Sequence, residues 1–242
     1  MIGSDEAGAE GGPPKGQLQA LGRGLLALRL VAEAGEGISV AHLAERLGVD
    51  RAVAHRIAAT LRAHSMVVRA PDGRLRLGSA PLVLAALYDR DLRVRAVPLV
   101  RRLASATSAT AFLSVAEGAD CVAIATAEPE RPVVSVGYRT GRRHPLTLGA
   151  AGIAILAGRP EREDDLPSVR AARARGHSVT RGQLQPGAVG VAAPLRLSPA
   201  LHPGLEASIG VVAMEDLDVE AAIAAVTQAA AALSDAAEGA AS

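Results

Sequence analysis

Five arginines in the first third of the chain have the type and spacing to grip nucleic acid. Arg51 and Arg56 sit near the start of a helical pattern, and Arg69, Arg74 and Arg76 lie in a short hairpin pattern behind it. A guanidinium fork pairs in bidentate fashion with guanine edges or phosphate oxygens. Between residues 20 and 80, nine arginines against five acids give about +4, while the whole 242-residue chain carries only +1. A basic module in a near-neutral chain is the footprint of a phosphate-binding domain. Ala52 and Val53 can pack on a thymine methyl, and His55 reads as a hydrogen-bonder on the helix surface.

Catalytic constellations are poorer. Cys121 with His144 and Ser135 with His177 are the nucleophile–base pairs on offer, but Cys121 falls in an alternating strand pattern, where a buried thiol is inert. The six histidines are scattered without metal-ligand spacing. The glycine-rich segment 137–152 lacks a P-loop lysine and dinucleotide spacing. One cysteine excludes an internal disulfide and a multi-cysteine zinc site. No enzyme activity, metal or cofactor is expected. Aromatic residues are few (Tyr88, Phe112 and Tyr138, with no tryptophan), which disfavours a single-stranded nucleic-acid binder built on stacking. No run approaches the roughly 18 apolar residues of a membrane span, and the first residues lack a basic-then-apolar signal, so the expected location is the cytoplasm.

The elements that must position the arginines read as a winged helix-turn-helix. Ser39 is placed to cap a helix with Val40, Leu43, Ala44 and Leu47 on one face, and Gly48 supplies the turn. Asp50 is placed to cap the next helix, which buries Ala54, Ile57, Ala58 and Leu61. Met66–Val68 and Leu75–Leu77 flank Pro71-Asp72-Gly73, a hairpin signal. Without the charge, this would be only a helical hairpin and a ribbon. With it, the early residues of the second helix are the ones that reach base edges, and the wing arginines track phosphates.

The organisation expected is a disordered tail (1–18), the winged domain (19–78), a linker helix (79–91) carrying Leu82, Val83, Ala86 and Leu87, a second domain (92–235), and a short tail (236–242). Pro98 should open the helix that runs to Ala106. Ala111–Val115 and Cys121–Thr126 form a hairpin. Val133–Tyr138, Gly190–Leu197 and Ala207–Ala213 read as further strands. Helices follow at 145–157, Val169–Gly176 and Val219–Leu233. Strands in antiparallel runs with helices packed against them make an α+β domain.

Residues 21–78 resemble the N-terminal domain of IclR-type bacterial transcriptional regulators. HPLTLGAAGIAILAG (144–158) and RGHSVTRGQLQPGAVGVAAPL (175–195) are similar to two stretches of that family's C-terminal domain, in the same order. The resemblance implies a GAF/PAS-like effector-binding domain and a homodimer or homotetramer on a double-stranded operator. It also implies a small effector, an organic acid or aromatic metabolite. Carried over by position, the effector-binding residues are Thr147, Gly149, Ala150 and Gly152 at a helix start, with Gln183, Gly190 and Val191 across from them. The family commonly has serine and threonine where this chain has Ala52 and Val53. It commonly has histidine, threonine, lysine and an acid where this chain has Thr147, Gly149, Ile153 and Gln183. Two alternatives stand beside this reading: a ligand-independent DNA-binding dimer whose second domain serves only assembly, and an enzyme.

Overall fold

The computed structural model describes residues 18–87, 90–129 and 137–238. The chain divides into two compact units, Met1–Tyr88 and Asp89–Ser242. The first contains α1 (Gln19–Glu33), α2 (Val40–Leu47), α3 (Arg51–Ala63), the strands β1 (Val67–Arg69) and β2 (Leu75–Leu77), and α4 (Ala80–Leu87). Its core gathers Ala27, Leu30 and Val31 of α1, Leu43 and Ala44 of α2, Ala54 and Ala58 of α3, and Val67 and Leu75 of the wing. Alanines at the α2–α3 crossing let the two backbones approach closely.

Local chemistry sets the boundaries of these helices. Ser39 Oγ accepts the N–H of His42 at 3.2 Å and caps α2. Gly48 closes it in the left-handed conformation, φ +63°. Asp50 stands at the N-cap of α3 as expected, but its side chain accepts no capping hydrogen bond. The wing turns through Ala70–Gly73, where Gly73 N–H donates to Ala70 O and Ala70 N–H donates to Arg74 O. α4 differs from an ordinary amphipathic helix because none of its residues is buried.

The second unit is built on a six-stranded antiparallel sheet in the order β5-β4-β3-β8-β7-β6. The strands are β3 (Thr110–Glu117), β4 (Asp120–Ala127), β5 (Arg143–Pro145), β6 (Ser178–Arg181), β7 (Ala188–Pro194) and β8 (Ala207–Met214). α5 (Arg90–Thr107) and α8 (Val219–Glu238) cover one face, over Leu113, Val115, Val191, Ile209 and Val211. α6 (Gly149–Gly158) covers the other, over Phe112, Ala123 and Ala192, and α7 (Pro167–Arg175) packs beside it. α6 is apolar all round because the sheet and α7 bury it on several sides.

Several expectations are corrected. Pro98 lies inside α5 rather than at a helix start. It is tolerated there because it and Val94, whose carbonyl it leaves unpaired, are both on the solvent side. Of the expected linker helix the structure describes Ala80–Leu87; residues 88–89, inside its expected span, lie outside the described residues. β5 and β6 are additional edge strands, and α8 continues to Glu238. The strand expected at Val133–Tyr138 falls largely outside the described residues, as does Ser135, and its last two residues are not in a strand. Most of the two expected tails also lies outside them.

Candidate DNA interface and ligand cavity

On α3, Arg51, Ala52, His55 and Arg56 are exposed, Val53 is half-buried, and Ala54 is fully buried. The helix thus packs by its Ala54–Ala58 side and presents both arginines outward. Among the described residues neither Arg51 nor Arg56 is held in an ion pair. The wing arginines are more committed. Arg69 Nε donates to Gly73 O at 3.2 Å, and Arg74 Nη1 donates to Gly37 O at 3.3 Å, tying the wing to the loop before α2. Arg76 pairs with Asp72 at 3.2 Å. Of these five arginines, among the described residues, only Arg76 has its charge met by a carboxylate, and Arg51 and Arg56 are the two whose guanidinium groups are not held by another group.

In the second unit, a cavity of about 300 Å³ opens between α6 and the sheet. Ala150, Gln183 and Gly190 line it, together with Phe112, Tyr138, Arg142, His144, Thr180 and Leu184. Gly149 sits at its edge, where its N–H donates to Gln183 Oε1 at 2.8 Å. The other carried-over residues lie elsewhere. Thr147 is exposed, and Gly152 is pressed against the Leu146 backbone. Val191 is on the α5–α8 face, because neighbours on a strand point to opposite sides.

The cavity wall has its own polar chain. His144 Nδ1 lies 3.0 Å from Pro145 O, which can only accept, so the proton sits on Nδ1 and Nε2 is the acceptor. The Tyr138 hydroxyl donates to that Nε2 at 3.3 Å, and the Ser114 hydroxyl is 3.4 Å from Tyr138 Oη. Burial is the first cause that lowers the His144 pKa, with Arg142 adding to it. Burial likewise pushes Tyr138 up to about 12. Both groups are neutral near pH 7, so among the described residues that line the cavity Arg142 is the charged one, and none of them is a carboxylate.

Phe112 gives the cavity an apolar floor, its ring centroid 5.0 Å from that of Tyr138. Its cross-strand partner is Gly210, where a Cβ would collide with the Phe112 ring; glycine there lets the ring lie across the sheet. Cys121 pairs in register with His144 but is fully buried, and desolvation pushes its thiol up to about 11, which leaves it protonated and inert. Among the described residues no His, Cys, Asp and Glu side chains gather as a metal site. No described helix is long and apolar enough to cross a membrane.

Residues 20–71 match the IclR helix-turn-helix domain, and residues 84–166 match the bacterial transcriptional regulator IclR C-terminal domain. The chain belongs to the IclR family. The transcriptional repressor IclR of Escherichia coli (strain K12) is 26% identical over 149 residues, covering 60% of this chain and 54% of that protein. In that match the chain spans about half the length of its relative. The regulator BhcR of Paracoccus denitrificans (strain Pd 1222) is 28% identical over 259 residues, covering 94% of this chain and 90% of that one. Among solved structures, an IclR transcriptional regulator from Alicyclobacillus acidocaldarius superposes with a TM-score of 0.73 at 23% identity, covering 91% of this chain and 99% of the other. An IclR homolog from Microbacterium hydrocarbonoxydans, complexed with 4-hydroxybenzoate, also gives 0.73, at 19% identity and the same coverage. These solved structures share the fold of this IclR-family chain, its antiparallel α+β second unit included. The C-terminal match stops at residue 166, before Thr180, Gln183, Leu184 and Gly190.

Sequence reasoning did not single out Phe112, Tyr138, Arg142 or Leu184 as cavity residues. His144 entered only as a catalytic partner for Cys121. The available signal was period-two alternation: Phe112 shares its strand face with Ser114, and Gly190 shares its face with Ala188 and Ala192.

Proposed function

We infer that this chain binds a double-stranded operator as a symmetric homo-oligomer in the cytoplasm, and that a small organic anion in the second unit modulates its grip. What carries the reading is the coexistence on one chain of an exposed Arg51–Arg56 helix face, in no ion pair among the described residues, and a cavity whose described lining holds one cation and no carboxylate. Phe112 and Tyr138 favour a flat or aromatic body, and Arg142 favours a carboxylate head. A relative's structure holds 4-hydroxybenzoate, a ligand of that description.

α4 supports the homo-oligomer. Leu82, Val83, Leu84 and Leu87 are 56 to 74% exposed in a helix that buries nothing, and Leu21 and Leu25 of α1 are more than half exposed in the same unit. An apolar helix of this kind is covered in a soluble protein, and a second copy supplies the matching surface. Two heads then read paired half-sites, and the ligand acts by binding one arrangement of the assembly better than another.

The test begins by selecting tight-binding duplexes from a random pool with the purified full chain, then titrating organic and aromatic acids into the complex. The expected outcome is at least a dimer by light scattering and a shift in operator affinity of about 1–3 kcal/mol for an active acid. A monomer that binds palindromic sites tightly would overturn the assembly. Operator binding that no acid alters would leave the second unit with assembly alone.

A further inference from the structure

Three consecutive residues of the loop between β6 and β7, Gln183, Leu184 and Gln185, line the cavity. The loop is closed at its base by Gly182 N–H donating to Ala188 O at 2.8 Å and Ala188 N–H donating to Gln185 O at 3.1 Å. Gly182 and Gly187 bracket it, both with positive φ (+65° and +75°). Residues 181–186 are exposed, so little of the loop is held by burial.

Two contacts fasten its tip to α6. The first is the Gly149 N–H donating to Gln183 Oε1, across 34 positions of sequence. The N-cap residue of α6 is Leu148, which has no acceptor to offer, so the Gln183 amide serves as the cap side chain. The second is Leu184, whose Cδ1 fills the space where a Cβ on Gly149 would stand. Among the described residues, the side chains of 183–185 make no other hydrogen bond.

We propose that Gln183 is the latch of a lid: loop 182–187 closes over the cavity, and the Gln183–Gly149 hydrogen bond opens when a ligand is taken up. This rests on the reading of the cavity as a small-molecule site and adds the device that sets its affinity. One neutral hydrogen bond is weak enough to open on the timescale of loop motion, and the energy spent opening it is subtracted from ligand binding. Removing the latch therefore tightens binding. A carboxylate at the same position grips the α6 N-terminus more firmly and weakens binding. Were Gln183 instead a direct contact for the ligand, its removal would have the opposite sign.

The experiment uses the full chain as wild type, Gln183→Ala and Gln183→Glu, with benzoate and its neutral analogue benzamide as probes. Calorimetric titration reads affinity, and amide exchange of the ligand-free proteins reads the loop. In Gln183→Ala, the hydrogen-bonded amides of Gly149, Gly182 and Ala188 should exchange faster, and each probe that binds should do so roughly three- to tenfold more tightly. In Gln183→Glu the same amides should exchange more slowly and both probes should weaken, benzoate more than benzamide. Weaker binding by Gln183→Ala, or probes that bind the wild type with an affinity neither substitution moves, would overturn the latch alone. If neither probe binds any of the three proteins, the reading of the cavity as a small-molecule site fails and the latch falls with it.

Discussion

The carbonyl oxygen of Ser65 occupies the space that a side chain on Gly78 would need. Around that close approach, Gly78 N–H donates to Met66 O at 2.9 Å and Ala80 N–H donates to Ser65 O at 3.1 Å. The first turn of α4 is thereby fastened to the end of α3. Ser65 itself sits at φ +55°, a conformation an L-residue adopts at a cost of about 1–2 kcal/mol. The junction between reading helix and linker helix is thus a rigid joint made of backbone.

Gly78→Ala should force the two backbones apart and destabilise the winged unit by about 1–3 kcal/mol, the range for overpacking a tight site. Ser65→Gly should be nearly neutral, because relief of the left-handed strain is offset by the entropy of a new glycine. Urea unfolding, with amide exchange to localise the effect, distinguishes the two. A Gly78→Ala protein as stable as the wild type would show that the two backbones part at little cost and that the joint is not rigid.

The pairing of the arginines predicts how DNA binding divides. Arg56→Ala should cost about 1–3 kcal/mol on a selected operator and relax preference at one base pair. Asp72→Asn removes the charge that occupies Arg76 while leaving an oxygen to accept the Arg74 N–H, which Asp72 Oδ1 now does at 3.0 Å. Freed Arg76 should strengthen binding to any duplex at low salt and steepen the salt slope by about one. Affinity measured over a salt series on selected and random duplexes checks both. Equal losses on the two duplexes for Arg56→Ala would remove it from base reading.

The winged unit is legible in the sequence because its signals are local: a cap at Ser39, a glycine stop at Gly48, and apolar spacing along α2 and α3. The second unit is legible only in outline. β5 and β6 have three and four residues, too short to show alternation, and they exist because longer neighbours offer an edge. Pro98 carries the signal of a helix start, and only its exposure lets it stand mid-helix. The cavity joins β3, the loop before β5, α6 and the β6–β7 loop, so no single window of sequence contains it. Alternation does separate Gly190 from Val191, since adjacent strand residues cannot line one cavity.

His144 makes the second unit sensitive to pH in a determined direction. The residue is 7% exposed, and its ring lies beside Tyr138 and Arg142 and donates from Nδ1 to Pro145 O. Burial holds its pKa below the usual 6.5. The unfolded chain therefore takes up a proton near 6.5 that the folded chain refuses. The histidine's contribution to stability is intact above that pH and is lost as pH falls through 6.5 toward the lower folded value. His144→Gln keeps an amide oxygen to accept from Tyr138 and has no proton to gain. The melting temperature of the wild type should fall more steeply than that of His144→Gln between pH 7.5 and pH 5 in matched buffers, both ranges being set roughly around the unperturbed histidine pKa. Asp164 and Asp165, held below the usual carboxylate range by Arg162, the first through its side chain and the second through its backbone N–H, are common to both proteins and cancel in the difference. Parallel curves would mean that water reaches the ring and that the Tyr138–His144 wall of the cavity opens in solution.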